Sequence, residues 1–266
     1  MAIQRDDVFT ELRPYADMAV VPGVTIGDLA YTSAQTFHSE AVFQAVAGGG
    51  GIGTVTSNTS LPLFYGAEGD TGQQGWNGQM TRTQTNWPYT RGTCSANNVF
   101  LGLWMGFDVY AVNSSDTSGI LEYKQLNDAM CTFNAYTAGP PAITGGGGAL
   151  SAVGTLVRNF SWDLTQGRGI TRVIGQLDEY PACEGAYTVA SASGSNTVPG
   201  AVQWSAQNGM PGGYKQKLTI PLVFAPMIPT TINVACGSGF TVGGLGATHI
   251  VIRASMTGYN MTVPAG

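Results

Sequence analysis

The chain has 266 residues and a formal net charge of −5, with 43% hydrophobic, 10% aromatic and only 10% charged residues. That apolar share supplies a core and excludes disorder, while three lysines, Lys124, Lys215 and Lys217, are too few cations to neutralise many phosphates. Glycine, at 38 residues, follows no three-residue period, so a collagen-like helix is excluded as well.

Residues 1–17, MAIQRDDVFTELRPYAD, are charged and lack the apolar stretch of a secretory signal. Their pattern predicts a short helix over 5–17, with Asp6 or Asp7 as its cap and Pro14 near its end. Gly48, Gly50 and Gly53 satisfy a GxGxxG spacing, but a dinucleotide site needs a helix N-terminus directly afterwards. The following TVTSNTSLPLF is β-branched and contains proline, so it reads as a turn and no cofactor is expected.

Residues 66–98 form a long polar loop carrying Trp76, Trp87 and Tyr89. Loops of this length are usually functional or packed on a partner, so the three rings are expected at the surface, as interface anchors or sugar-stacking platforms. Glu68, Asp70 and Asn77 offer oxygens for a calcium ion, without EF-hand spacing, and no metal site is predicted.

From Val99 to Ala111 every odd position is apolar, a period of two over 13 residues. So long a strand implies either a tall sheet or a dividing bulge. Its most apolar part, Val99 to Phe107, is far shorter than the roughly 20 residues of a transmembrane helix. Leu121 to Asp128 is the only other helical turn suggested; 129–136, 149–157, 169–177 and 186–190 read as strands. A glycine-rich stretch at 138–148 marks a possible internal division.

Alternation returns in Leu218, Ile220, Leu222 and Phe224, then in Ile232, Val234 and Cys236, and again in Ile250, Ile252, Ala254 and Met256. Pro221 places the first of these runs at a sheet edge or on a bulge. Many strands, Gly/Pro/Asn/Ser turns and almost no helix give an all-β sandwich, because nothing here serves as a crossover helix.

Chemistry is sparsely represented. Asp178, Glu179 and Glu184 form an acidic cluster that reads as a solvated loop; a hydrolase would require a carboxylate pair in a cleft. His38 and His249 lie near no serine elbow, and His249 is expected in a surface or inter-sheet hydrogen bond. Cys94, Cys131, Cys183 and Cys236 form no CxxC pair and read as buried free thiols. No catalytic, cofactor-binding or metal residues are assigned, and no enzyme activity is expected. Low charge with high glycine and threonine favours a surface largely covered by neighbours.

The segments 84–110, 217–242 and 248–263 carry a family resemblance. QTNWPYTRGTCSANNVFLGLWMGFDVY places a Thr-Asn and a turn before a long strand; KLTIPLVFAPMIPTTINVACGSGFTV gives a strand, a proline-bounded break and two more strands; THIVIRASMTGYNMTV closes with a strand and a terminal extension. Together they resemble the jelly-roll capsid proteins of tailless icosahedral bacteriophages, particularly those with an internal membrane. The resemblance implies an antiparallel jelly-roll β-sandwich, either one elaborated jelly roll or a compact double one. It divides the chain into an N-terminal arm or helix, 1–17, and a shell domain, 18–266. It implies a major capsid protein of the virion, assembled in the host cytoplasm through trimeric capsomers. Its partners would be copies of itself and other virion proteins, with the arm against an internal membrane or a neighbour and no specific nucleic acid. A carbohydrate-binding sandwich or attachment protein is the alternative.

Overall fold

The computed structural model describes residues 10–44, 46–47, 53–55, 58–76, 78–112, 159–167, 169–180, 188–191, 203–206, 215–237, 240–241 and 249–263. Eight principal strands carry the architecture: β1 (Ala30–Gln44), β2 (Ser60–Leu63), β3 (Asn98–Val112), β4 (Phe160–Gln166), β5 (Ile170–Gln176), β6 (Gln216–Phe224), β7 (Thr230–Cys236) and β8 (His249–Thr262). They form two four-stranded sheets, ordered β6-β3-β8-β1 and β2-β7-β4-β5, in which every pairing is antiparallel. Short two-strand pairs at Ala19–Val21 with Val24–Thr25, and Thr188–Ser191 with Gln203–Ala206, lie outside these sheets. Helix among the described residues is limited to one turn at 10–12 and single 3-10 turns.

The main core lies between the sheets. β7 shows why: Thr230, Ile232, Val234 and Cys236 are buried, while the intervening Thr231, Asn233 and Ala235 are only partly covered. Period-two alternation turns such a strand into one apolar and one polar face. Opposing it, the first sheet contributes Phe37, Phe43, Phe100, Met105, Phe107, Phe224, Ile250 and Ile252. The runs expected as strands at 215–226, 230–236 and 248–256 contain strands at 216–224, 230–236 and from 249 onward, and those at 169–177 and 186–190 contain strands at 170–176 and from 188 onward.

Of the two outcomes that its length implies, a tall sheet or a dividing bulge, the long run at 99–111 shows the bulge. Trp104 stands opposite Thr257 and Gly102 opposite Gly258, leaving Leu103 unpaired on β3. One extra residue reverses the inward and outward sense of a strand. Met105 and Phe107 therefore face the main core, whereas Val99, Leu101 and Leu103 face the opposite side of the sheet. The bulge thus splits the apolar odd positions of the run between the two faces of the sheet. Glycine is required there, since a Cβ on Gly258 would run into the Leu101 carbonyl oxygen.

A second apolar cluster covers that opposite side. Val99, Leu101, Leu103, Tyr259 and Met261 meet Leu12, Tyr15, Met18, Val20, Ile26 and Leu29 from the N-terminal segment. Pro221 sits in an edge strand at an irregularity, for the reason anticipated: a residue without an N–H serves poorly in a central ladder. Pairing of β6 with β3 lapses between Lys217, opposite Trp104, and Leu222, opposite Gly102. This irregularity breaks the alternation and leaves Ile220 71% exposed instead of core-facing.

The connections 64–97, 167–169 and 225–229 gather at one end of the sandwich; 45–59, 113–159, 177–215 and 237–248 leave from the other. The expectations for Asp6, Asp7, 48–50, Asn77, 121–128, 129–136, 138–148, 149–157, Cys131, Cys183 and Glu184 lie outside the described residues.

Candidate assembly surface

The long polar loop folds onto its own sheet. Its residues run along the outer edge of β1, where backbone groups would otherwise be unpaired. Asn86 Oδ1 accepts from the His38 N–H at 2.6 Å, and the His38 carbonyl accepts from the Asn86 N–H at 3.2 Å. The Glu40 carbonyl accepts from Gln74 Nε2 at 2.7 Å and from Trp76 Nε1 at 3.2 Å, while the Val42 N–H donates to the Gln74 carbonyl at 2.9 Å. Asn86 Nδ2 reaches the Thr36 carbonyl at 3.0 Å. Gly75, at φ +83°, permits this approach, because a Cβ there would strike the Val42 carbonyl oxygen.

The rings expected at the surface are consequently inside. Trp76 is 2% exposed and Trp87 1%. Trp87 packs at ring-centroid distances of 5.0–5.5 Å against Phe37, Phe64, Tyr89 and Phe224, and Tyr89 is half-buried beside it. Neither tryptophan offers a face for a sugar or a partner. The loop's Gln, Asn and Thr residues serve the sheet edge, which is why a polar sequence encloses buried aromatics.

The groups singled out for chemistry are dispersed. Glu68 pairs with Arg82 at 3.8 Å on the surface, and Asp70 Oδ2 accepts from the Ala67 N–H at 2.8 Å. Among the described residues no three His, Cys, Asp or Glu side chains gather as a metal set. Glu179 Oε2 accepts from the Gln176 N–H at 3.2 Å at the turn Leu177–Glu179. His38 Nε2 lies 3.2 Å from the Arg82 carbonyl oxygen, and His249 is buried at the start of β8. Cys94 and Cys236 are buried thiols outside any disulfide; burial pushes Cys94 up to about 12 and Cys236 upward, so neither presents a reactive thiolate.

One charged group that the sequence did not single out is fully enclosed. Glu40 sits on the face of β1 opposite Phe37 and Phe43, with its Oε1 3.4 Å from Arg253 Nη1 on β8 and its Oε2 without a hydrogen-bond partner among the described residues. Burial pushes its carboxyl up to about 8, against the pull of the Arg253 guanidinium. Within TFHSEAVF, the alternation of Phe37, Ser39, Ala41 and Phe43 puts Glu40 on the other face, but nothing local announces that this face is buried too.

The described part of the N-terminal segment is held on its own sheet. Tyr259 donates its hydroxyl hydrogen to Glu11 Oε2, Lys217 Nζ lies 3.9 Å from Glu11 Oε1, and Lys217 sits over the Trp104 ring. Asp28 accepts from both the Thr25 hydroxyl and the Thr25 N–H, at 2.7 and 2.9 Å, which holds its carboxyl below the ordinary range. Among the described residues, what faces outward is the uncovered edge of β6, with Lys217 and Ile220, the Met227 tip at 67% exposure, and the polar face of the second sheet. On that face Asn233 Nδ2 donates to Asp163 Oδ1 at 2.7 Å and to Thr165 Oγ1 at 3.2 Å. Compared with protein-family models, curated proteins and solved structures, the chain matches none.

Proposed function

We propose that the chain is a structural shell protein, a capsid subunit whose copies associate through capsomers into an icosahedral virion, and that its eight strands form a single jelly roll. The observation that carries this reading is the pairing scheme. The first strand pairs with the eighth, the second with the seventh, the third with the sixth and the fourth with the fifth. That is the order of one long antiparallel ribbon wound into two facing sheets, as in the jelly rolls of capsid and lectin domains. The same winding gathers four connections at one end, free to grow without disturbing the sheets.

Composition supports association with copies of the chain. A surface carrying few charges is poorly suited to isolation in water and well suited to contact cores, where charge is depleted. The arrangement of Asp28, Glu68, Asp70, Glu179 and His38 supports a non-catalytic role, because the four acids serve turns or a surface ion pair and His38 lies on the sealed edge strand. The carbohydrate-binding alternative is weakened, since Trp76 and Trp87, its stacking platforms, are enclosed.

Sedimentation velocity on the purified chain, with negative-stain imaging of any fast fraction, tests the proposal. Trimers or closed shells are the expected result. A strictly monomeric species at high protein concentration, under every salt condition, would overturn it.

A further inference from the structure

We propose that Glu40 and Arg253 form a proton-operated latch, in which ionisation of Glu40 under alkaline conditions unseats the 66–80 loop from the edge of β1. The geometry is that of a neutral acid held in place. A buried carboxylate is ordinarily satisfied by several donors, with charge-assisted contacts of about 2.7–2.9 Å. Among the described residues Glu40 Oε1 has its contact at 3.4 Å, to Arg253, and Oε2 has no hydrogen-bond partner, while the residue is fully buried.

The same residue anchors the loop through its backbone. Its carbonyl accepts from Gln74 Nε2 and Trp76 Nε1, and two residues further on the Val42 N–H donates to the Gln74 carbonyl. An anion created at this position needs water or new donors, and the residues fastened across its own peptide group are those of the loop. Hydrating the carboxylate therefore competes with keeping the loop seated. Burial, which pushes the Glu40 carboxyl up to about 8, puts that competition just above neutrality.

Among the described residues, the adjoining elements carry these other ionisable groups. β1 contributes His38, on the same face and close to the Arg82 carbonyl oxygen; β8 contributes Arg253 and the buried His249. On β3, Asp108 is the register partner of Arg253. The loop segment carries Glu68, Asp70 and Arg82, the first and last paired with each other at the surface.

Hydrogen-exchange mass spectrometry on peptides from 66–80, corrected for intrinsic exchange, reads the latch directly. Between about pH 7 and about pH 9 the protection of these amides should fall by about tenfold or more in the unmodified chain. In Glu40→Gln, which keeps both histidines, protection should stay level. A level profile in the unmodified chain, or an equal fall in the variant, would overturn the proposal. Infrared spectroscopy of the unmodified chain requires no variant to fold. It should show a neutral carboxyl band at pH 7 that is lost by about pH 9, and absence of that band at pH 7 would also overturn it.

Discussion

The two edges of the first sheet solve the same problem in opposite ways. At β1 the unpaired backbone groups are covered by a segment of the chain itself, which supplies Gln74, Trp76 and Asn86 as donors and acceptors. At β6 no such cover is present among the described residues; the edge is instead interrupted, with Pro221, a lapse in pairing, and Lys217 and Ile220 projecting from it. Both arrangements hinder edge-to-edge pairing with a stray strand. They differ in energy. A covered edge concentrates buried aromatic area and satisfied polar groups, whereas an interrupted edge has little to lose on substitution.

Trp76→Ala breaks the contrast most severely. It removes a fully enclosed ring, and a loss of about 3–5 kcal/mol in unfolding free energy is expected from denaturant titration. The pH dependence comes next. The Glu40 carboxyl has an ordinary value of 4.5 and a folded value of about 8, so between these the folded chain binds more protons than the unfolded one. Stability should therefore fall as pH rises through that window, by an amount on the order of a few kcal/mol, and Glu40→Gln should flatten the slope. Denaturant midpoints measured from about pH 5 to about pH 8.5 in both chains check the sign.

Gln74→Ala leaves the Gly66 N–H without its Oε1 acceptor at 2.9 Å and withdraws a donor from Ser39 and from the Glu40 carbonyl. A loss of about 1–3 kcal/mol is expected by the same titration. Ile220→Lys sharpens the other side of the comparison. On the interrupted edge it should change stability by no more than about 0.5 kcal/mol. A large loss there would mean that the two edges are not energetically distinct.

Much of the fold is legible in the pattern of residues. The run Thr230–Cys236 alternates without interruption and forms a strand whose buried side is the one its side chains select. Pro221 marks an edge because it has no N–H for a ladder bond. The surface is less legible. Trp76 and Trp87 stand among Gln, Asn, Thr and Gly, a composition that reads as exposed, yet those polar groups face the backbone of β1 and not water. Glu40 shows the same failure in reverse, since alternation places it outside the main core and yet it is fully buried.

The sequence by itself determined that the chain is all-β, where most of the C-terminal strands lie, and that the run at 99–111 needs either a tall sheet or a dividing bulge. These follow from period-two alternation and turn residues, which act over a few neighbouring positions. Only the tertiary structure decided that Leu103 would be the extra residue, that residues 12–29 would pack on the outer face of the first sheet at Val99, Leu101, Leu103, Tyr259 and Met261, and that the polar loop would seal β1 while β6 has no such cover among the described residues. Each depends on which strands lie side by side, and backbone groups accept whatever partner a distant segment brings, so no local pattern records the choice.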